Sequence, residues 1–141
     1  KGPQVMKGYW KREDETKKCM HGDYFLTGDI GTMDEEGFFK IVDRKKEMIL
    51  VSGFNVYPND VEKAISENTK VLEVGVRGEK KEDGTEFVRA FIVRKDPSLT
   101  EEEVISFCRE KLTNYKVPKS ISFRDELPKS NVGKILRRLL K

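Results

Sequence analysis

Short apolar blocks punctuate an otherwise polar chain, and each block predicts one element. Residues 1–20 carry Gly2, Pro3 and Gly8 among polar side chains and read as loop and short irregular structure. Two alternating runs, Gly28 to Met33 and Phe38 to Val42, flank Asp34-Glu35-Glu36-Gly37 and predict a β-hairpin. Five consecutive charges, Asp43 to Glu47, break the pattern and read as a solvated linker, which sets the domain boundary between 1–44 and 45–141. Met48 to Val51 predicts a short buried strand, and Ser52-Gly53-Phe54-Asn55 the turn that follows it. Pro58 suits the first turn of a helix whose apolar face is Val61, Ala64 and Ile65. Val71 to Val76 and Phe87 to Val93, rich in β-branched residues, predict antiparallel strands around a charged loop ending in Asp83-Gly84. Thr100 and Glu103 have the spacing of a capping box, and Val104, Ile105, Cys108 and Leu112 carry one helical face to about Asn114. Ile121-Ser122-Phe123 predicts a short strand and Ile135 to Leu140 a last helical turn or two. The fold class is therefore α+β: a small mixed or antiparallel sheet backed by two helices and preceded by a β-hairpin.

A chain of 141 residues has room for one small domain plus a piece of another. Hydrophobic residues make up 36%, clustered enough to bury a modest core and to exclude disorder. The 28 Lys and Arg against 25 Asp and Glu leave a net charge of +3, which is not the one-sided balance of a dedicated nucleic-acid binder. The basic excess is local. Between Lys116 and Lys141 eight cations stand against Asp125 and Glu126 alone, an arrangement that favours an anionic ligand such as a phosphate. Cys19 and Cys108 match no disulfide framework and read as reduced thiols. No run reaches the length of a membrane span, and the opening Lys1 makes the sequence read as an excised fragment.

Candidate chemistry concentrates in Pro128-Lys129-Ser130-Asn131-Val132-Gly133-Lys134-Ile135-Leu136-Arg137-Arg138. A phosphate-binding loop of the Walker A type is excluded, because Pro128 stands where its first glycine belongs and Ile135 where its Ser or Thr belongs. Lys134 nevertheless follows a glycine turn that lets the backbone approach a ligand, and its ammonium suits charge building on a phosphoryl oxygen. This stretch resembles the closing motif of the adenylate-forming superfamily of acyl-CoA synthetases, adenylation domains and luciferases, with bacterial fatty-acid–CoA ligases the nearest in pattern. Leu26-Thr27-Gly28-Asp29-Ile30-Gly31 resembles the family's Thr-Gly-Asp motif, and Asp43 to Ile49 with Ser52 to Pro58 its hinge and following turn. Gly8-Tyr9-Trp10 is similar to a further family segment, so the resemblance spans nearly the whole chain.

The resemblance implies that 1–44 is the tail of a larger amino-terminal domain and 45–141 a mobile lid. It implies a fatty-acyl-CoA synthetase that uses ATP with Mg2+ and CoA, its substrates being small molecules and its partner its own amino-terminal domain. Lys134 is then the catalytic lysine. Asp29 contacts the ribose hydroxyls, as an acceptor-only carboxylate can, and Arg44 the nucleotide oxygens. Lys46 is the hinge residue; Gly53, flanked by Phe54 and Asn55, lines the path of CoA. Mg2+ and most of the ATP site fall to the absent domain, and no metal ligands are expected here. The reduced thiols read as cytoplasmic, with peripheral membrane contact left to the full-length protein.

Two other readings stay open at this point. The basic end also fits a small α+β module that binds nucleic acid or another polyanion, with steep salt dependence. An adenylation domain that loads a carrier protein in place of CoA is a nearer variant. Other features carry less. His21 and Cys19 are too few for a zinc site, and Asp34, Glu35 and Glu36 form a charged turn with no separation of acid and base roles. Trp10, Phe38, Phe39 and Phe87 read as core or edge packing. Leu136, Leu139 and Leu140 beside Arg137 and Arg138 make too short an amphipathic stretch to bind a membrane strongly.

Overall fold

Side-chain alternation along two central strands decides what packs where. The computed structural model describes residues 1–141, and the chain divides into two compact units, Lys1–Lys45 and Lys46–Lys141.

The second unit is built on β7 (Val71–Lys80), β8 (Glu86–Arg94) and β9 (Ser120–Arg124), in the order β7-β8-β9. β7 pairs antiparallel with β8, and β9 adds in parallel to the other side of β8. Because successive side chains point to opposite faces, Val74 and Val76 of β7 with Val88, Ala90 and Ile92 of β8 supply one face. On that face lie two helices, α2 (Pro58–Ser66) and α3 (Glu101–Lys111). Val61 and Ile65 of α2, and Val104 and Cys108 of α3, complete the larger core. The i, i+3, i+4 spacing thus does what it predicts. Proline at the first helical position starts α2, and the Thr100–Glu103 capping box starts α3, with the Glu103 amide donating to Thr100 Oγ1 at 3.2 Å.

The opposite face carries a smaller cluster: Phe91 and Val93 of β8 with Leu127, Leu140 and the half-buried Ile135. Gly75 sits across from Phe91 in the register, and a Cβ there would meet Leu140 Cδ1 at 2.9 Å and Ile135 Cγ2 at 3.1 Å. The missing side chain is what lets the end of the chain lie flat on the sheet.

The unit opens with a hairpin that the sequence only half reveals. β5 (Ile49–Val51) and β6 (Phe54–Val56) pair so that Val51 opposes Phe54, leaving Ser52 and Gly53 as a two-residue loop. Both loop residues have positive φ, 50° and 85°, as a primed hairpin turn requires. Phe54 and Asn55, read above as part of the turn, therefore belong to a strand.

The first unit comprises α1 (Glu13–Cys19), the hairpin β1 (Met20–His21)–β2 (Tyr24–Phe25) and the hairpin β3 (Asp29–Met33)–β4 (Phe39–Arg44). The expected loop at 1–20 thus contains a helix. Its acidic first turn and basic last turn favour the helix dipole, and none of its residues is buried, so it leaves no apolar periodicity to read. The only buried residue of this unit is Asp43, and every buried apolar residue lies between Ile49 and Leu140. Trp10, Phe38 and Phe39, expected as packing residues, are instead 86%, 69% and 78% exposed, because the unit has no core to receive them. Phe87 is half-buried in β8.

Three further expectations shift. Asp43 and Arg44 end β4 rather than forming solvated linker, Asp43 being only 3% exposed, and a 3-10 turn covers Lys45–Glu47. The second helix stops at Lys111, where Leu112 turns extended. Ile135 to Leu140 holds only a 3-10 turn, Arg137–Leu139, since Ile135 pairs with Lys129 as a β-bridge and Leu140 turns onto the sheet. No helix is long and apolar enough to cross a membrane.

Candidate functional site

Lys134 stands on a small hairpin made by the chain segment that returns over the outer face of the sheet. Lys129 and Ile135 form an antiparallel bridge. The Ser130 amide donates to Lys134 O at 2.8 Å, the Gly133 amide to Ser130 O at 2.9 Å and the Leu136 amide to Pro128 O at 2.8 Å. The Lys134 amide adds a bond to Ser130 Oγ at 3.2 Å. Gly133 closes the turn with φ 79°, a conformation few other residues reach cheaply. The backbone of Lys134 is fixed from several directions while its side chain projects into solvent.

Three of the basic side chains around it are committed. Lys129 Nζ lies 2.6 Å from Glu73, Arg124 donates to Lys141 O, and Arg137 binds Glu47 and Glu62 at 2.5 Å each. Lys134 takes part in none of the ion pairs of the unit. Exposed ion pairs contribute little stability, so the contrast concerns availability: Lys134 is a cation on a fixed mount without a carboxylate partner.

Lys134 borders a cleft of about 550 Å³ that the hinge candidate Lys46 also borders. Five cations (Lys46, Arg77, Lys134, Arg137 and Arg138) line it against two carboxylates, Glu47 and Glu86. An excess of positive side chains in a concave, partly desolvated setting attracts an anion. Arg77 is a cleft residue that the sequence reading missed. Arg77 lies 57 positions before Lys134, and no local pattern announces their meeting.

The turn at Gly53 lies elsewhere in the unit and does not line this cleft. A Cβ built at Gly53 would meet nothing within 4 Å, so its glycine serves the positive φ and leaves the tip bare. Phe54 stacks on Tyr115, ring centroids 4.6 Å apart and planes 15° from parallel, which stiffens the strand that follows. Asn55 is exposed beside it.

In the first unit, Asp29 and Arg44 are brought together. They oppose each other across β3 and β4, and Arg44 Nε lies 2.9 Å from Asp29 Oδ1. Arg44 also donates to Thr27 O at 3.1 Å, and the Asp29 amide donates to Thr27 Oγ1 at 3.1 Å. The Thr-Gly-Asp run and the arginine before the hinge thus form one polar cluster. Asp29 keeps a second carboxylate oxygen for further donors. No group of three or more His, Cys, Asp or Glu side chains is placed to hold a metal ion. His21 is exposed, and both cysteines are free thiols.

A long-chain-fatty-acid–CoA ligase of Escherichia coli O6:H1 is 60% identical over 141 residues, covering all of this chain and 25% of that protein. The chain thus spans about a quarter of the length of the curated relative. Among solved structures, the Bacillus subtilis o-succinylbenzoate CoA synthetase in complex with its acyl-adenylate intermediate superposes with a TM-score of 0.91 at 35% identity, over 100% of this chain and 29% of that one. ATP-bound MatB from Rhodopseudomonas palustris does so with a TM-score of 0.91 at 37% identity, over 99% of this chain and 28% of that one. The model of the AMP-binding enzyme C-terminal domain matches residues 60–134, which reaches from α2 to Lys134 itself. With more than half of its length inside that match, the chain belongs to the AMP-binding enzyme C-terminal domain family.

Proposed function

We propose that this chain is the carboxy-terminal part of an ATP-dependent fatty-acyl-CoA synthetase and that Lys134 serves its first half-reaction. The observation that carries the reading is an ammonium without a carboxylate partner, on a backbone held by its own hairpin, at the border of a cleft lined mostly by cations. In the first step a carboxylate oxygen of the fatty acid attacks the α-phosphorus of ATP, and pyrophosphate leaves. Nucleophile and phosphate are both anionic, so a cation between their oxygens lowers the repulsion and stabilises the transition state. In the second step the thiol sulfur of CoA attacks the acyl carbon, AMP leaves and the thiol proton passes to solvent.

Asp29 and Arg44 hold the nucleotide in this scheme: the free carboxylate oxygen of Asp29 accepts from the ribose, and the remaining guanidinium donors of Arg44 face phosphate or ribose oxygens. Lys46, at the boundary of the two compact units, is the pivot. Rotation there withdraws Lys134 after adenylation and presents the bare Gly53 tip, past which the pantetheine arm reaches the acyl group. Mg2+ accompanies the phosphates of ATP and is held by the larger domain. The exposed apolar side chains of the first unit, Trp10, Phe38 and Phe39 among them, belong against that domain.

The test uses the full-length protein with ATP and palmitate, offered CoA, a phosphopantetheinylated carrier protein or neither. The proposal expects AMP and pyrophosphate in equal amounts and acyl-CoA as product. Acylation of the carrier alone would point to the carrier-loading variant. No AMP with any carboxylate, together with salt-sensitive binding to nucleic acid, would return the basic end to a polyanion-binding role.

A further inference from the structure

The sequence gives Arg137 no role beyond its place in the last motif, yet it is the most heavily engaged side chain near Lys134. Its Nε donates to Glu62 Oε1 at 2.7 Å and a terminal nitrogen to Glu62 Oε2 at 2.5 Å, a two-point grip on α2. Another terminal nitrogen donates to Glu47 Oε2 at 2.5 Å, and Asn59 Oδ1 accepts a further bond. The Arg137 side chain is only 14% exposed, with Glu62 at 19% and Glu47 at 33%. These pairs are sheltered from solvent and poorly screened. A planar guanidinium can serve three partners in fixed directions, which an ammonium cannot.

The partners span the unit. Glu47 ends the 3-10 turn Lys45–Glu47 that contains Lys46, and Glu62 lies in α2. Glu62 Oε1 also accepts the amide of Val76 at 2.8 Å, at the free edge of β7. Arg137 itself is three residues beyond Lys134. One side chain therefore joins the hinge turn, the first lid helix, the edge of the sheet and the lysine hairpin.

We infer that Arg137 is a positioning residue for adenylation: it ties the Lys134 hairpin to the turn at the hinge, so that rotation about Lys46 carries the ammonium as part of a rigid body. It touches no reacting atom and acts only through Lys134. This inference rests on the role proposed for Lys134.

The test is a double-mutant cycle in the full-length enzyme, with single-turnover acyl-adenylate formation and thioester formation from supplied acyl-adenylate measured separately. Arg137→Lys keeps the charge and loses the fork; Glu47→Gln leaves Arg137 its grip on Glu62 and weakens only the tie to the hinge turn, by removing its charge. Each should lower adenylate formation by about tenfold, as misplacement of a catalytic group does, and leave the thioester step within about twofold. In a Lys134→Ala background the same changes should cost less than about twofold, because the group being positioned is gone. Equal losses in both backgrounds, or equal losses in both half-reactions, would show a merely structural role and overturn the inference. If Lys134→Ala is crippled in adenylation while Arg137→Lys and Glu47→Gln are not, the inference alone fails. If Lys134→Ala adenylates normally, the role given to Lys134 fails, and this inference with it.

Discussion

Leu140→Ala probes how the lysine hairpin is held to the sheet. Leu140 is 2% exposed and packs with Phe91, Val93, Leu127 and Ile135 on the outer face, over the gap left by Gly75. Truncating a buried leucine to alanine costs about 2–5 kcal/mol, the spread reflecting how far the site can collapse. Here the residue is next to last and its cluster is small, so relaxation is easy and about 2–3 kcal/mol is expected. The larger core lies on the other face and shares none of these side chains. The loss should therefore appear as local opening of the hairpin, not as melting of the unit. Native-state hydrogen exchange reads this directly. At about 1.4 kcal/mol per tenfold, the amides of Ser130, Gly133 and Leu136 should exchange about 30- to 150-fold faster. Amides within β7 and β8, such as those of Val74 and Ala90, should keep their rates. Equal acceleration in both groups would mean that the two clusters form one cooperative core, and unchanged hairpin amides would mean that Leu140 does not hold the hairpin down.

Gly53→Ala should destabilise the unit by about 1 kcal/mol in urea unfolding, a cost of the positive φ alone since no atom crowds the new methyl group. In the full-length enzyme the same change should slow thioester formation and spare adenylation. Thr100→Ala removes the side-chain cap of α3 and should cost about 1 kcal/mol in the same assay, with no effect on either half-reaction. Burial raises the Cys108 thiol from 9.0 to about 11. Native protein at pH 8 should thus react with Ellman's reagent quickly at Cys19 only, and Cys108 should follow at the unfolding rate. The sign of the linkage is that the unfolded chain loses this proton first. The contribution of Cys108 is complete below pH 9 and is lost as pH rises toward 11, so a Cys108→Ser variant should show a flatter alkaline limb in its unfolding curve.

The second unit was legible where a single physical requirement dominates a stretch. α2 and α3 announce themselves through proline, a capping box and one apolar stripe, and β7 and β8 through β-branched runs around Asp83-Gly84. The hairpin at Ser52-Gly53 was hidden because its strands are three residues each and two of its exposed positions, Leu50 and Phe54, are as apolar as the buried ones. Helix α1 was hidden because it buries nothing. The aromatic residues of the first unit were misread because apolar character says that a side chain seeks cover without saying which part of the protein supplies it. Motif order singled out Lys134, Asp29 and Arg44 as candidates, and the cross-strand register explains why the last two lie together. The Arg137 network was beyond sequence reasoning, since it joins positions 47, 59, 62 and 137 through tertiary contacts alone.

The central claim assigns adenylation to one of several lysines that lie close together in sequence. Single-turnover acyl-adenylate formation by full-length Lys134→Ala and Lys129→Ala enzymes, measured beside the parent, tests it most directly. The account predicts a loss of about 10²- to 10³-fold for Lys134→Ala, the scale for removing one preorganised transition-state contact, and a change within about twofold for Lys129→Ala, whose lysine is already held by Glu73. Equal losses in the two variants, or an unimpaired Lys134→Ala, would contradict it.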